Sequence, residues 1–347
     1  MTEKNPNMSE KEKTAIENVE TAGLSQGQIV LRRFLHHKAA MISMVILGLI
    51  ILFVFLMGGI QLGTEKSPFR IPGLWHYTIN DLPELVNDGA PTLDLLPEFI
   101  DGTGTQIGDH PFGQDQIGSD YFALVMRGAQ QSIMVMFVIG LVAALIGTVM
   151  GAVSGFYGKW VDSVIMRFTD LIITIPALIV GAVIGALMGN LGVFFLALFL
   201  GLFTWTGLAR LVRGEFLSLR EREFVDAARV AGASNRRIIF KHILPNSVGV
   251  IIVSVTLLMS SAILLETGLS YLGFGVVAPD VSLGTLISQN QDSFTVRPEL
   301  FWYPGLFIIA IALCVNFIGD GLRDAFDPRQ KRRITRKDKA AAKMASR

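Results

Sequence analysis

Apolar positions in this chain run in long, unbroken stretches and do not alternate with polar ones. Six such stretches stand out, at about 39–60, 131–156, 163–188, 192–213, 247–270 and 302–320. A bilayer core about 30 Å thick takes roughly 20 apolar residues in a helix. Continuous runs without a period of two predict helices and not barrel strands. The pattern therefore predicts an all-α membrane protein with six transmembrane helices. Residues 1–28 are polar and poor in aromatics, which predicts disorder. Residues 29–60 form the first transmembrane helix, too long for the apolar part of a cleavable signal. Residues 61–130 are a loop-rich insert, in which DLPELV and LDLLPEFI allow only a little helix. Residues 131–320 form a five-helix core with two polar loops, 214–246 and 271–301. The second opens with YLGFG and carries SLGTLISQNQDSF, the pattern of a short amphipathic helix at the interface. Residues 321–347 are a basic tail that suits anionic lipid or serves equally as a simple topogenic anchor.

Charge orients the spans. Only 17% of residues are charged, against about 25% in soluble domains. With the N-terminus inside, the inner side collects Lys4, Lys11, Lys13, Arg32, Arg33, Lys38, Lys159, Arg167, eight basic residues from Arg210 to Lys241 and ten from Arg323 onward. That is 26 of the 30 basic residues, leaving Lys66, Arg70, Arg127 and Arg297 outside. The positive-inside rule then predicts N-in, C-in. The first outer segment is acidic (Glu65, Asp81, Glu84, Asp88, Asp94, Glu98, Asp101, Asp109, Asp115, Asp120). Basic residues without interleaved aromatics, set beside apolar spans, exclude a nucleic-acid partner. The lone Cys314 permits no internal disulfide. The histidines 36, 37, 76, 110 and 242 are scattered, so no catalytic residue, metal site or cofactor bound by this chain is expected.

Between the fourth and fifth spans the chain reads DAARVAGASNRRIIFKHILPN, from Asp226 to Asn246. EREFVDAARVA is a strong helix former that groups Phe224, Val225, Ala228 and Ala231 on one face. Gly232 fits the left-handed position that ends a helix, and Ser234 fits the N-cap of a second short helix, NRRIIFKHIL. Pro245 is expected to close that helix. Small Ala227 and Ala228 on the surface suit close approach by a partner. The stretch reads equally as a docking helix or as an amphipathic helix resting on lipid.

This stretch resembles the cytoplasmic loop of bacterial ABC importer permeases, whose pattern is E-A-A-x3-G-x9-I-x-L-P. Asp226, Ala227, Ala228, Gly232, Leu244 and Pro245 match its spacing; Asp226 stands for Glu, and His242 for the frequent Ile. HPFGQDQIGSDYFALVMRGAQQSI, MRFTDLIITIPAL, ETGLSYLGFG and LRDAFDPR, in that order, resemble the C-type subunit of the dipeptide/oligopeptide (peptide/nickel) branch. The resemblance covers about 28–333 and implies a type I importer permease fold in a bacterial inner membrane. It implies a homologous permease subunit as heterodimer partner, two ATPase subunits that use ATP and Mg, an external binding protein, and a peptide substrate. The permease itself would be no enzyme. Asp226, Ala227, Ala228, Arg229, Gly232, Leu244 and Pro245 would form the coupling contact with an ATPase, with Arg236 at its rim. Nickel or another small solute is the alternative cargo, and an ion-gradient-driven carrier the alternative class. The insert at about 61–108 is longer than usual for such subunits.

Other ionisable or polar residues in the spans carry separate expectations. Arg167 and Asp170, three apart, predict an ion pair near the inner boundary. Glu266, near the outer end of the fifth span, suggests a gate or a contact for a peptide amine, or a charge that snorkels to water. Asn316 suggests interhelical hydrogen bonding, and Pro176 a kink in a pathway-lining helix.

Overall fold

The computed structural model describes residues 26–62, 69–94 and 106–327. The expected disorder of 1–28 falls outside the described residues up to 25, as do most of LDLLPEFI and the tail beyond 327, while residues 26–28, expected to be disordered, are helical. The predicted first helix is two: α1 (Gln26–His36) and α2 (Lys38–Gly58). His37 separates them with an extended backbone, and its ring caps α2 by accepting the Ala40 N–H at 3.2 Å. Phe34 of α1 is thereby buried with Ala40 and Ala325.

Two short antiparallel strands follow, β1 (Ile60–Leu62) and β2 (Phe69–Ile71), which the sequence pattern did not predict. DLPELV is irregular chain, and a single 3-10 turn occupies Asn87–Gly89. Helix α3 (Tyr121–Tyr157) starts ten residues before the predicted second span. Asp120 sets that start by accepting the Ala123 N–H at 2.8 Å, the geometry of an N-cap. At 37 residues α3 is about 55 Å long and runs through the whole molecule.

The third and fourth predicted spans are bent pairs. Helix α4 (Lys159–Ile173) meets α5 (Ala177–Met188) at 77°, and α6 (Val193–Thr204) meets α7 (Thr206–Arg220) at 43°. The first break falls where Pro176, lacking an N–H, cannot continue the helical ladder; its carbonyl instead starts α5, accepting from Ile179 and Val180. The chain then forms α8 (Glu223–Val230), a single turn α9 (Asn235–Arg237), a π-helical stretch Ile238–Ile243 and α10 (Leu244–Tyr271). Pro245 does not close the second short helix, contrary to the sequence expectation. It lies in the first turn of α10, and the helical run continues from Asn235 to Tyr271. The wide turn before it absorbs the missing N–H: Leu244 N–H reaches Ile239 O, and Asn246 Nδ2 donates to His242 O at 2.6 Å. Helix α11 (Leu283–Gln289) is held by a capping box between Ser282 and Thr285. Its Leu283 and Leu286 are buried against the bundle. Helix α12 (Glu299–Phe326) extends past both ends of the predicted last span.

Among the described residues four helical runs are long and apolar enough to cross a membrane (α2, α3, α9–α10 and α12), and up to six if each bent pair is one span. Helix α3 is the axis of packing. Its Gly147, Gly151 and Gly155 let the α7 backbone approach, since a Cβ at Gly151 would lie 2.5 Å from Ala209 O; small residues at this spacing permit close helix contact. Two ends result. One carries β1–β2, residues 72–94 and 106–120, α11 and the start of α12. The other carries α1, α8 and the start of α10, where Gly249 faces Phe326.

Candidate functional site

The elbow formed by α8 and α9 is rigid by construction. Val225 and Ala228 are buried with Phe156, Val212, Phe216, Ile238 and Ile243. The end of α8 has two bonds, Ala233 N–H to Ala228 O at 3.0 Å and Gly232 N–H to Arg229 O at 2.9 Å. This is the Schellman arrangement, which requires a left-handed residue at Gly232; its φ is +78°. Ser234 then accepts the Arg237 N–H at 3.4 Å as the cap of the next turn. These local predictions follow from residue chemistry within one turn of the chain.

The surface the elbow presents differs from the expected one. Ala228 is 9% exposed and packs inward. The helix period places it on the Val225 face, and that face is covered by the chain's own Phe216 and Ile238. Phe224 and Ala231, grouped with them in the sequence, are exposed. Outward instead point Asp226, Ala227, Arg229 and Val230, the last 90% exposed, with Phe240 beside Arg236 on the neighbouring turn 67% exposed. Arg229 pairs with Asp226 at 2.9 Å, an exposed pair that contributes little energy. Leu244 packs at the edge of the buried cluster and Pro245 is exposed.

Helix α7, which leads into the elbow, is tied to α3 and α4 by charge that sequence spacing did not reveal. Arg213 of α7 takes Asp162 of α4 through two N–H···O bonds of 2.5 Å each. Ser154 of α3 also donates to Asp162. Arg220 donates to the Gly155 and Phe156 carbonyls at the end of α3, both at 3.2 Å. Forked pairs of this kind fix orientation as well as distance. Helices α3, α4 and α7 are thereby bonded to one another, and the elbow joins them through the apolar packing of Val225, Ala228 and Ile238 on Phe156, Val212 and Phe216.

The expected Arg167–Asp170 pair does not form. Asp170 is held by Arg210 of α7 at 2.5 Å. The bend between α6 and α7 brings that guanidinium across from another helix, which outcompetes an i,i+3 neighbour. Pro176 lines an apolar cavity of about 510 Å³ at the hinge of both bent pairs, with Ile139, Phe203, Thr204, Thr206 and Leu258. Asn316 is half-buried on α12 and makes no side-chain hydrogen bond among the described residues. Glu266 does not snorkel. It is fully buried, accepting from Ser132 at 2.9 Å and Ser270 at 2.7 Å, and it does not line the hinge cavity.

At the other end of α3, Asp120 is a hub. It accepts from Trp75 Nε1 at 2.8 Å and pairs with buried His110 at 2.7 Å while capping the helix. Gln114 donates to Glu84 O and Gly118 O and accepts the Val86 N–H, which holds the insert together, and Arg297 donates to Gly89 O and Gln116 to Ser293 Oγ, which join it to the segment before α12.

A family model described as "Binding-protein-dependent transport system inner membrane component" matches residues 145–332. Another, "N-terminal TM domain of oligopeptide transport permease C", matches residues 25–82. The oligopeptide transport system permease protein OppC of Mycobacterium tuberculosis (strain ATCC 25618 / H37Rv) is 37% identical over 305 residues, 88% of this chain and 95% of that protein. The protein of the same name from Escherichia coli (strain K12) is 36% identical over 329 residues, 93% of this chain and 99% of its own. A solved structure, the MetNI methionine ABC transporter in inward facing conformations, aligns at a TM-score of 0.48 with 18% identity, covering 59% of this chain and 96% of that chain.

Proposed function

The chain belongs to the family of binding-protein-dependent transport system inner membrane components, and from that premise we infer that it is the permease subunit of a peptide-importing ABC transporter. Its relatives of similar length are oligopeptide permeases. An ion-gradient-driven carrier would need no such kinship and no rigid elbow. In this reading the six apolar segments span a bacterial inner membrane with both termini inside. The elbow faces the cytoplasm, and the end carrying β1–β2, Trp75 and His110 faces outward. The distribution of basic residues supports that orientation.

A second, homologous permease subunit completes the pathway. Two ATPase subunits dock below, hydrolysing ATP with Mg, and an external binding protein delivers peptide. This chain holds no nucleotide and performs no hydrolysis; its work is mechanical. Asp226, Ala227, Arg229 and Val230 enter the ATPase, with Phe240 and Arg236 at the rim. Gly232, Leu244 and Ala228 keep the elbow stiff from within. Movement of the docked elbow passes through its apolar packing on Phe156, Val212 and Phe216 to α3 and α7, and through Arg213–Asp162 from α7 to α4. The bent pairs then hinge at Pro176 and Trp205, where the cavity leaves room for the change.

The observation that carries the reading is the outward Asp226–Val230 face on an elbow clamped to three helices. Cross-linking tests it. In a Cys314→Ser background, Ala227→Cys and Val230→Cys should each cross-link to a co-expressed ATPase subunit, and Val225→Cys, which points inward, should not. Cross-linking to lipid-soluble reagents alone would point to a helix lying on the bilayer.

A further inference from the structure

Glu266 sits near the end of α10 with its carboxylate 0% exposed, and among the described residues no Lys or Arg pairs with it. Burying such a group unpaired is costly unless hydrogen bonds satisfy it. Two hydroxyls do so. Ser132 of α3 donates to one carboxylate oxygen at 2.9 Å, and Ser270, one turn on along α10, donates to the other at 2.7 Å.

A hydroxyl has a single proton. Committing both protons to Glu266 leaves the lone pairs of both serines facing elsewhere, and each accepts a backbone N–H from the segment after α10. Leu283 N–H reaches Ser132 Oγ at 3.4 Å, and Val276 N–H reaches Ser270 Oγ at 3.2 Å. One carboxylate therefore orients both hydroxyls, and the hydroxyls hold the chain on either side of Ser282. The backbone contact beneath is close: a Cβ at Gly284 would lie 2.5 Å from Thr267 O. Beside Glu266, the Thr267 hydroxyl is buried and has no partner among the described residues. It is a spare hydrogen-bonding group within the same cluster.

We propose that Glu266 is a positioning residue, a latch that holds segment 274–289, including α11, against α3 and α10 and so keeps that end of the span bundle closed at rest. Opening exchanges the serine hydrogen bonds for others, and the unpartnered Thr267 hydroxyl is placed to take one. That this end is the outer end of a peptide pathway rests on the importer reading; the latch itself does not.

The test reads the segment directly. Leu286 on α11 is 1% exposed. In a Cys314→Ser background, Leu286→Cys should react slowly with a fluorescent maleimide in the purified, detergent-solubilised complex. Adding Glu266→Leu, which removes both acceptor oxygens at similar volume, should speed labelling at least about tenfold. Glu266→Gln, which keeps one acceptor, should stay within about threefold of the parent. Should Glu266→Leu fail to assemble, Ser132→Ala with Ser270→Ala removes the same bonds with a smaller change and should also speed labelling. In proteoliposomes the freed variants should hydrolyse ATP without the binding protein while accumulating less peptide. Labelling at the parent rate in the assembled variants overturns the latch. Absence of ATP-driven uptake in the parent complex overturns the importer reading instead, and leaves the labelling result to stand by itself.

Discussion

Ala227 and Ala228 are neighbours on α8 that face opposite ways, and one substitution made at each should fail for different reasons. Ala228 is 9% exposed and packs among Phe216, Val225, Ile238 and Ile243. Ala228→Leu forces three more carbons into filled space, and overpacking of that kind costs about 1–3 kcal/mol. A cost near 2 kcal/mol shifts the balance toward a displaced elbow by roughly 30-fold. Ala227 is exposed, so Ala227→Leu should change stability by no more than about 0.5 kcal/mol. It nevertheless places a bulky side chain on the face proposed to dock the ATPase. Limited proteolysis of the purified chain reads the first effect and co-purification with the ATPase reads the second. Ala228→Leu should speed cleavage within 221–246. Ala227→Leu should leave cleavage unchanged and lose the ATPase. Retention of ATPase and uptake by Ala227→Leu would refute the docking face. Unchanged cleavage in Ala228→Leu would refute the packing.

Gly232→Ala meets no neighbouring atom, so its cost is that of a left-handed alanine, about 1–2 kcal/mol; partial uncoupling of transport from ATP hydrolysis is expected, and full uncoupling for Gly232→Pro. Arg213→Met breaks the forked pair with Asp162 and should lower stability by about 1–3 kcal/mol, seen as a lower Tm of the purified protein. Arg210→Met loses a pair that is 47% exposed on both sides and should cost less than about 1 kcal/mol, while Arg167→Ala should be neutral. Asp120→Ala removes the α3 cap, worth about 0.5–2 kcal/mol, and strands the Trp75 and His110 donors. Faster protease cleavage within 69–120 should reveal it, with the spans intact.

Features set by neighbours in sequence were legible in advance. The Gly232 turn and the Ser234 cap rest on φ preference and one hydroxyl, and both lie where residue chemistry puts them. The apolar runs mark the spans because lipid demands continuity. What the sequence could not reveal depends on partners far along the chain. The first turns of α3 carry Arg127, Gln130 and Gln131, which made them read as loop; in the fold Arg127 pairs with Asp280 and Gln130 donates to Val54 O and Gly59 O. Asp170 had a plausible partner one turn away but takes Arg210 from another helix. Helical period grouped Ala228 with Val225 correctly, yet only tertiary packing shows that this face is already occupied. The strands at 60–62 and 69–71 are three residues each, too short for alternation to register. Pro245 looked like a stop because a π-helical turn that absorbs it has no signature in sequence.

The central claim is that this chain moves peptide by transmitting work from an ATPase. It is tested most directly by reconstituting the chain into proteoliposomes, alone and with its permease partner and ATPase subunits, and measuring uptake of a labelled peptide presented with binding protein. Uptake that requires the full assembly and ATP, and that is lost with Ala227→Leu, is the result this account predicts. Uptake by the chain alone on an ion gradient, without ATP, would contradict it.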